Sequence, residues 1–136
     1  DVGLFVTLAF KDKNYTENII YNKLLSDKLE TNLGYVFECA IAQILVARGN
    51  NLFYYTMQSN TSNHLYEIDF LTSTGDKINP IEVKSGKDYY VHSALNSFLQ
   101  NKDYNVSKGL VLSNERKIST DSNGITYLPI YFVMFL

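Results

Sequence analysis

The segment Leu65 to Lys84, LYEIDFLTSTGDKINPIEVK, constrains the fold of this chain more than any other. Two runs rich in β-branched and aromatic residues flank a short polar stretch, the pattern of a β-hairpin. The first strand is expected over His64–Thr72 and the second over Ile78–Lys84. The turn falls at Ser73-Thr74-Gly75-Asp76, where the glycine supplies the backbone freedom a tight turn needs. Successive side chains of a strand point to opposite faces. Leu65, Glu67, Asp69 and Leu71 are therefore expected on one face, and Tyr66, Ile68 and Phe70 on the other. On the second strand, Ile81 and Val83 lie opposite in face to Glu82 and Lys84.

If the hairpin closes near Gly75-Asp76, opposed residues have numbers adding to about 151, which sets Asp69 against Glu82 with their side chains about 5 Å apart. Two carboxylates at that distance repel. A cation is needed to hold them, either the ammonium of Lys84 or a divalent ion with oxygen ligands. The plainer alternative is a solvated charged face, since exposed antiparallel strands alternate apolar and charged residues. The strongly apolar text around the acids, IDFL and PIEVKSG, weighs against it.

Asp69 followed by Glu82-Val83-Lys84 resembles the D-(x)n-(D/E)-x-K core of the PD-(D/E)XK nuclease superfamily. The fuller text, Glu67-Ile68-Asp69-Phe70 with Pro80-Ile81-Glu82-Val83-Lys84-Ser85-Gly86, is similar to an uncharacterised domain found C-terminal to an AAA-type ATPase module in many prokaryotic proteins. The resemblance implies an α/β fold with a restriction-endonuclease-like core, a mixed central sheet flanked by helices. It implies Asp69 and Glu82 as ligands of Mg²⁺ or Mn²⁺, with Lys84 positioning the attacking water and stabilising charge on the phosphate. Glu67 would support Asp69 or the metal.

The second informative stretch is Thr31–Arg48, TNLGYVFECAIAQILVAR, which reads as a helix capped by Thr31 or Asn32 and ended by Gly49-Asn50. Its apolar residues run almost all the way round, so it is expected to be buried on most sides. Glu38 is its one acid and falls between Ile41, Ala42 and Leu45. A carboxylate there loses hydration and is held neutral unless a cation is near. On its own, Glu38 reads equally as a partly exposed residue reaching water past Ala42. The resemblance makes it a third acid of the catalytic set Glu38, Asp69, Glu82 and Lys84.

The remaining chain fills out one domain. Asp1–Phe10 is a short apolar helix or strand, Lys11–Tyr15 a connector, and Thr16 the N-cap of a further helix carrying Ile19, Ile20 and Leu24. Residues 1–30 are taken as an N-terminal helical extension, part of a larger protein, and 31–136 as the nuclease-like domain. Leu52–Met57 reads as a first strand and Gln58–Asn63 as a polar loop. Gly86 is expected to let the backbone pass close to the site, and Tyr89–Gln100 to form an amphipathic helix using Val91, Ala94, Leu95, Phe98 and Leu99. Lys108–Ser113 is a buried strand that follows a helix and so pairs in parallel with the strand before it. Asn114–Asn123 is a loop, and Ile125–Leu136 a final strand around Pro129 or a docking segment.

Composition excludes several function classes. A net charge of −2 with two arginines, Arg48 and Arg116, is not that of a strong non-specific nucleic-acid binder. No G-x-x-x-x-G-K-[ST] loop occurs, so a nucleotide-hydrolysing site is not written in this stretch. Cys39 and the separated His64 and His92 lack zinc-ligand spacing. His64 reads as a surface residue, and Cys39 as an inert cysteine within a buried helix. A single cysteine fits a reducing, cytoplasmic setting, and no apolar run reaches the length of a membrane span. Two functions remain. One is a Mg²⁺-dependent nuclease acting on DNA. The other is a non-catalytic module of an ATPase that binds DNA, recognises substrate or self-associates into a homo-oligomer.

Overall fold

The computed structural model describes residues 2–10, 22, 33–58 and 65–136. The expected connector at Lys11–Tyr15, the helix capped by Thr16, the cap at Thr31 or Asn32, His64 and most of the Gln58–Asn63 loop lie outside the described residues.

The hairpin forms where the sequence places it. Strand β2 (Leu65–Thr74) and strand β3 (Lys77–Lys84) pair antiparallel, and the residue numbers of every pair add to 151, from Thr74 with Lys77 out to Phe70 with Ile81. Gly75 opens the two-residue turn with φ 60°, the positive angle a type II′ hairpin asks of its first turn residue. Strand β1 (Phe53–Gln58) pairs antiparallel on the other side of β2.

Here the simple alternation fails. Phe53 pairs with Leu71, but Tyr55 pairs with Ile68, so two steps along β1 match three along β2. The extra residue in β2 is a bulge at Asp69 and Phe70. A bulge inverts the faces beyond it. Ile68 consequently packs with Tyr66 and Leu71 on one side of the sheet, and Phe70 with Ile81 and Val83 on the other. The expected grouping of Leu71 with Leu65, Glu67 and Asp69 is corrected accordingly.

Helix α1 (Val2–Phe10) precedes helix α2 (Leu33–Ala47), and the Val2 amide donates to Gln43 Oε1 at 2.8 Å. Helix α2 ends as read. Gly49, at φ 89°, donates its amide to Val46 O at 2.9 Å, and Asn50 donates to Leu45 O at 3.0 Å, a Schellman closure. The helix is not buried on most sides, however. Ile41 and Leu45 face the sheet, while Tyr35 and Val46 are exposed on the far side.

Helix α3 (Ser93–Gln100) crosses from β3 to strand β4 (Gly109–Ser113), which pairs parallel with β3 as expected. It starts later than the apolar pattern suggests, so Val91 lies before it and is exposed. A 3₁₀ turn, Lys102–Tyr104, follows it. Strand β5 (Ser119–Thr120) is a two-residue strand within the stretch read as loop. Strand β6 (Ile125–Pro129) pairs parallel with β4, and a 3₁₀ helix (Ile130–Phe135) closes the chain. The sheet order is β1-β2-β3-β4-β6-β5, antiparallel at both flanks and parallel in the centre.

Two layers cover this mixed sheet. On one face Ile41 and Leu45 of α2 and Val133 of the last 3₁₀ helix pack on Ile81, Val83 and Leu112. On the other, Ala94 and Phe98 of α3 pack on Ile68, and Leu95 packs on Val111, Ile125 and Tyr127. The α/β class with a mixed sheet between helices is therefore the architecture of the chain.

Candidate functional site

Glu82 and Lys84 lie at the C-terminal end of β3, where the parallel strands of an α/β sheet present ligand sites. Alternation puts both on the α3 face, because Ile81 and Val83 fill the α2 face. Burial on both sides of the sheet makes this an unusual place for a carboxylate. Glu82 is only 5 % exposed. Its Oε1 accepts a hydrogen bond from Lys84 Nζ at 2.7 Å, and its Oε2 is buried with no partner.

Asp69 meets this end of β3 from the bulge in β2. The main-chain ladder stops at Phe70 and Ile81, one step short of Asp69 and Glu82. Beyond it Asp69 Oδ2 accepts the Val83 amide at 2.7 Å. The side chain thus takes a donor that would otherwise pair with β2. This anchors the carboxylate between Glu82 and Lys84 in sequence and next to both in charge.

The electrostatics tie five residues together. Burial, then repulsion from Asp69, pushes the Glu82 carboxyl up to about 7, against the pull of Lys84 and with a further push from Glu38. Burial raises Asp69 as well, opposed by the Val83 amide and Lys84 and reinforced by Glu67. Glu38, on the α2 layer, is raised by burial, by Asp69 and by Glu67, and lowered by Lys84. Glu38, Glu67, Asp69, Glu82 and Lys84 therefore share one field, with a single cation set against four acids.

Their tips do not close on a single point. Among the described residues no group of three or more His, Cys, Asp or Glu side chains is gathered tightly enough to hold a metal ion. The direct contacts are Asp69 with the Val83 amide and Glu82 with Lys84. A cleft of about 310 Å³ lies elsewhere, at the turn end of the hairpin between Asp76–Asn79 and Tyr104–Lys108, and none of the four expected site residues lines it. The carboxylate chemistry and the cleft are separate features, and the carboxylates are the better guide to function because Glu82 is buried with one oxygen unpartnered.

Gly86 does not bring backbone against the site. A Cβ there would meet nothing within 4 Å. Lys87 is exposed. Tyr55 packs edge-on against Phe98 and Tyr104, and Tyr89 against Tyr127, while Tyr54 and Tyr90 are exposed.

Sequence reasoning missed a buried polar chain on the α3 face. His92 is 5 % exposed and its Nε2 lies 2.7 Å from Tyr127 Oη. Tyr127 Oη donates to Asp121 Oδ2 at 3.2 Å. Burial and the neighbouring Asp121 push the Tyr127 hydroxyl up to about 12. A lone histidine inside the stretch read as an amphipathic helix carries no motif, so only the sheet register reveals its neighbours. Glu82 pairs with Val111 and Val111 with Tyr127, which sets Glu82 and Tyr127 in one row across three strands.

This is a mixed α/β domain with a charged, half-buried cluster at the end of its central parallel strands. The chain belongs to the family described as Domain of unknown function (DUF4143), whose model matches residues 33–133. No curated protein matches it. Among the described residues no helix is long and apolar enough to cross a membrane.

Proposed function

We propose that this domain is a PD-(D/E)XK-type, metal-dependent phosphodiesterase that acts on DNA, carried by a larger protein with an AAA-type ATPase module. One observation carries the reading. Glu82 is a carboxylate with almost no exposure, one oxygen on Lys84 and the other on nothing. A buried charge of that kind costs free energy unless a ligand uses it.

Hard oxygen donors suit Mg²⁺ or Mn²⁺, and Mg²⁺ is commonly held by one or two carboxylates with water completing its shell. On this reading Asp69 and Glu82 would supply those carboxylates, without a third acid gathered beside them. Glu38 belongs to the same field and would act on the ion through water. When bound, the metal supplies an acidified water and a polarised phosphoryl oxygen. The other roles fall to the chain. Asp69 is held by the Val83 amide through Oδ2 and would offer Oδ1 to the ion. Lys84 uses one proton on Glu82 and has two left for a phosphate oxygen or the attacking water. Glu67 adds negative potential behind Asp69.

The test is cleavage of single-stranded and duplex DNA by the protein with Mg²⁺ or Mn²⁺. Activity that requires the metal and is lost in Asp69→Asn and Lys84→Ala, with the fold retained, supports the reading. Absence of both cleavage and metal binding at millimolar concentration contradicts it.

The second reading is a non-catalytic module that binds DNA, recognises substrate or self-associates for its ATPase, in a reducing cytoplasmic setting. The Lys84–Glu82 ion pair, the absence of a gathered three-acid group among the described residues and the net charge of −2 favour it. It expects DNA or a second copy to be retained without metal, and retained equally by Asp69→Asn.

A further inference from the structure

Among the described residues two buried side-chain polar atoms have no partner: Glu82 Oε2 and His92 Nδ1. Such groups call for an explanation. The hydrogen bonds around His92 point to where its proton sits. Asp121 Oδ1 accepts the amides of Asn123 and Ile125, each at 2.9 Å, and Oδ2 accepts from Tyr127 at 3.2 Å, so this carboxylate is an acceptor throughout. The single hydroxyl proton of Tyr127 is committed to Asp121. Tyr127 Oη must then accept from His92, which places the imidazole proton on Nε2. A neutral ring holds one proton, and burial favours the neutral ring, opposed by the residue's own backbone and by Asp121 and helped by the charge of Lys84. In that tautomer Nδ1 carries no proton, and it has no hydrogen-bond partner.

The ring is placed for use. It lies over Tyr127, with centroids 5.6 Å apart, on the face that carries Glu82 and Lys84. Tyr127 stands in the same cross-strand row as Glu82. The chain from Lys84 to His92 is a short connection that begins at the end of β3 and leads into α3. Asp121 and Tyr127 hold the ring in one tautomer, much as a second partner fixes the ring of a working histidine.

We propose that His92 is a further residue of this site, whose Nδ1 accepts a hydrogen bond from the attacking water held beside Lys84. Asp121 and Tyr127 are positioning residues that act through it. The inference rests on the phosphodiesterase reading above and adds a residue that the D-(x)n-(D/E)-x-K pattern does not contain.

Two variants separate the ring nitrogens. His92→Gln keeps a donor for Tyr127 at the Nε2 position and offers nothing at Nδ1. His92→Asn places an oxygen near Nδ1 and gives up the bond to Tyr127. The expected result is a loss of about 10²-fold in kcat for His92→Gln at unchanged KM for a DNA oligonucleotide, with His92→Asn within about tenfold of wild type. Long-range ¹H–¹⁵N spectra of histidine-labelled protein provide a readout independent of turnover. They are expected to show His92 protonated on Nε2, and Tyr127→Phe to release that preference. A His92→Gln enzyme with wild-type kcat, or a proton found on Nδ1, overturns the inference while leaving the nuclease reading intact. A wild-type protein that neither cuts DNA nor binds Mg²⁺ or Mn²⁺ overturns that reading and this inference with it.

Discussion

Asp69 and Val83 are joined side chain to main chain. Asp69 Oδ2 accepts the Val83 amide at 2.7 Å, one step past the last main-chain pair of the hairpin, Phe70 with Ile81. Removing the acceptor strands a buried amide. Asp69→Ala is expected to cost about 1–3 kcal/mol, whereas Asp69→Asn keeps an acceptor and costs less than about 1 kcal/mol. On the proposed reading, both are expected to remove metal-dependent cleavage. Urea denaturation beside a cleavage assay distinguishes the structural bond from the charge.

The pH dependence follows from Glu82. Its carboxyl has an ordinary value of 4.5 and is raised to about 7 in the fold. An acid raised on folding holds its proton in the native state after the unfolded chain has released it. Its contribution to stability is complete below about 4.5 and is lost as pH rises through about 7. The difference is on the order of 3 kcal/mol at most. Asp69 and Glu38, both raised by burial first, add in the same direction. Metal-free protein is expected to lose stability between about pH 5 and pH 8 in chemical denaturation, and Glu82→Gln to flatten that slope. Millimolar Mg²⁺ is expected to restore stability at pH 8 and to do little at pH 5, where protons compete for the same oxygens.

Among the described residues, Lys84 is the cation that touches these acids directly, through Glu82. Lys84→Ala leaves both oxygens of Glu82 without a partner and raises the Glu82 carboxyl further. The expected cost is about 1–3 kcal/mol at pH 8 and less at pH 5, where Glu82 is neutral. Thermal melts of the variant at the two pH values check this. Equal losses at both would point to lost packing of the lysine stem.

Gly124 supports the buried histidine from a distance. It sits at φ 83°, and a Cβ there would lie 2.4 Å from Ser107 O. The clash is with backbone, which cannot step aside. Gly124→Ala is expected to cost about 1–3 kcal/mol from the backbone angle alone and more from the clash. It also displaces the Asp121–Ile125 loop that holds Tyr127. Loss of the His92 tautomer preference in the folded fraction, read by ¹⁵N shifts, tests that link.

Much of this fold is written in local chemistry. Gly75 and the alternation on β3 set a register that holds at every main-chain pair of the hairpin. Gly49-Asn50 closes α2 because only a positive φ permits the Schellman bonds. The bulge at Asp69 was not legible, since an inserted residue leaves no compositional mark and its cost is repaid by β1 pairing. It nevertheless decides the site, because it splits Ile68 from Phe70 and leaves Asp69 facing the Val83 amide. The exposed far side of α2 was not legible for a related reason. Tyr35 and Val46 look like core residues in any window, and only the packed sheet shows which side they take. His92 was passed over because its partners, Tyr127 and Asp121, lie about thirty residues away in sequence and meet it only once β6 is laid beside β4.

The central claim is that the Asp69 and Glu82 carboxylates, with Lys84 beside them, form one grip for a divalent cation. The most direct measurement is an anomalous difference map from crystals of the protein soaked in MnCl₂ near pH 8. The account expects a peak within coordination distance of Asp69 and Glu82, absent in Asp69→Asn crystals treated in the same way. A well-ordered Lys84–Glu82 ion pair with no peak beside it, or manganese bound only elsewhere on the surface, would contradict it.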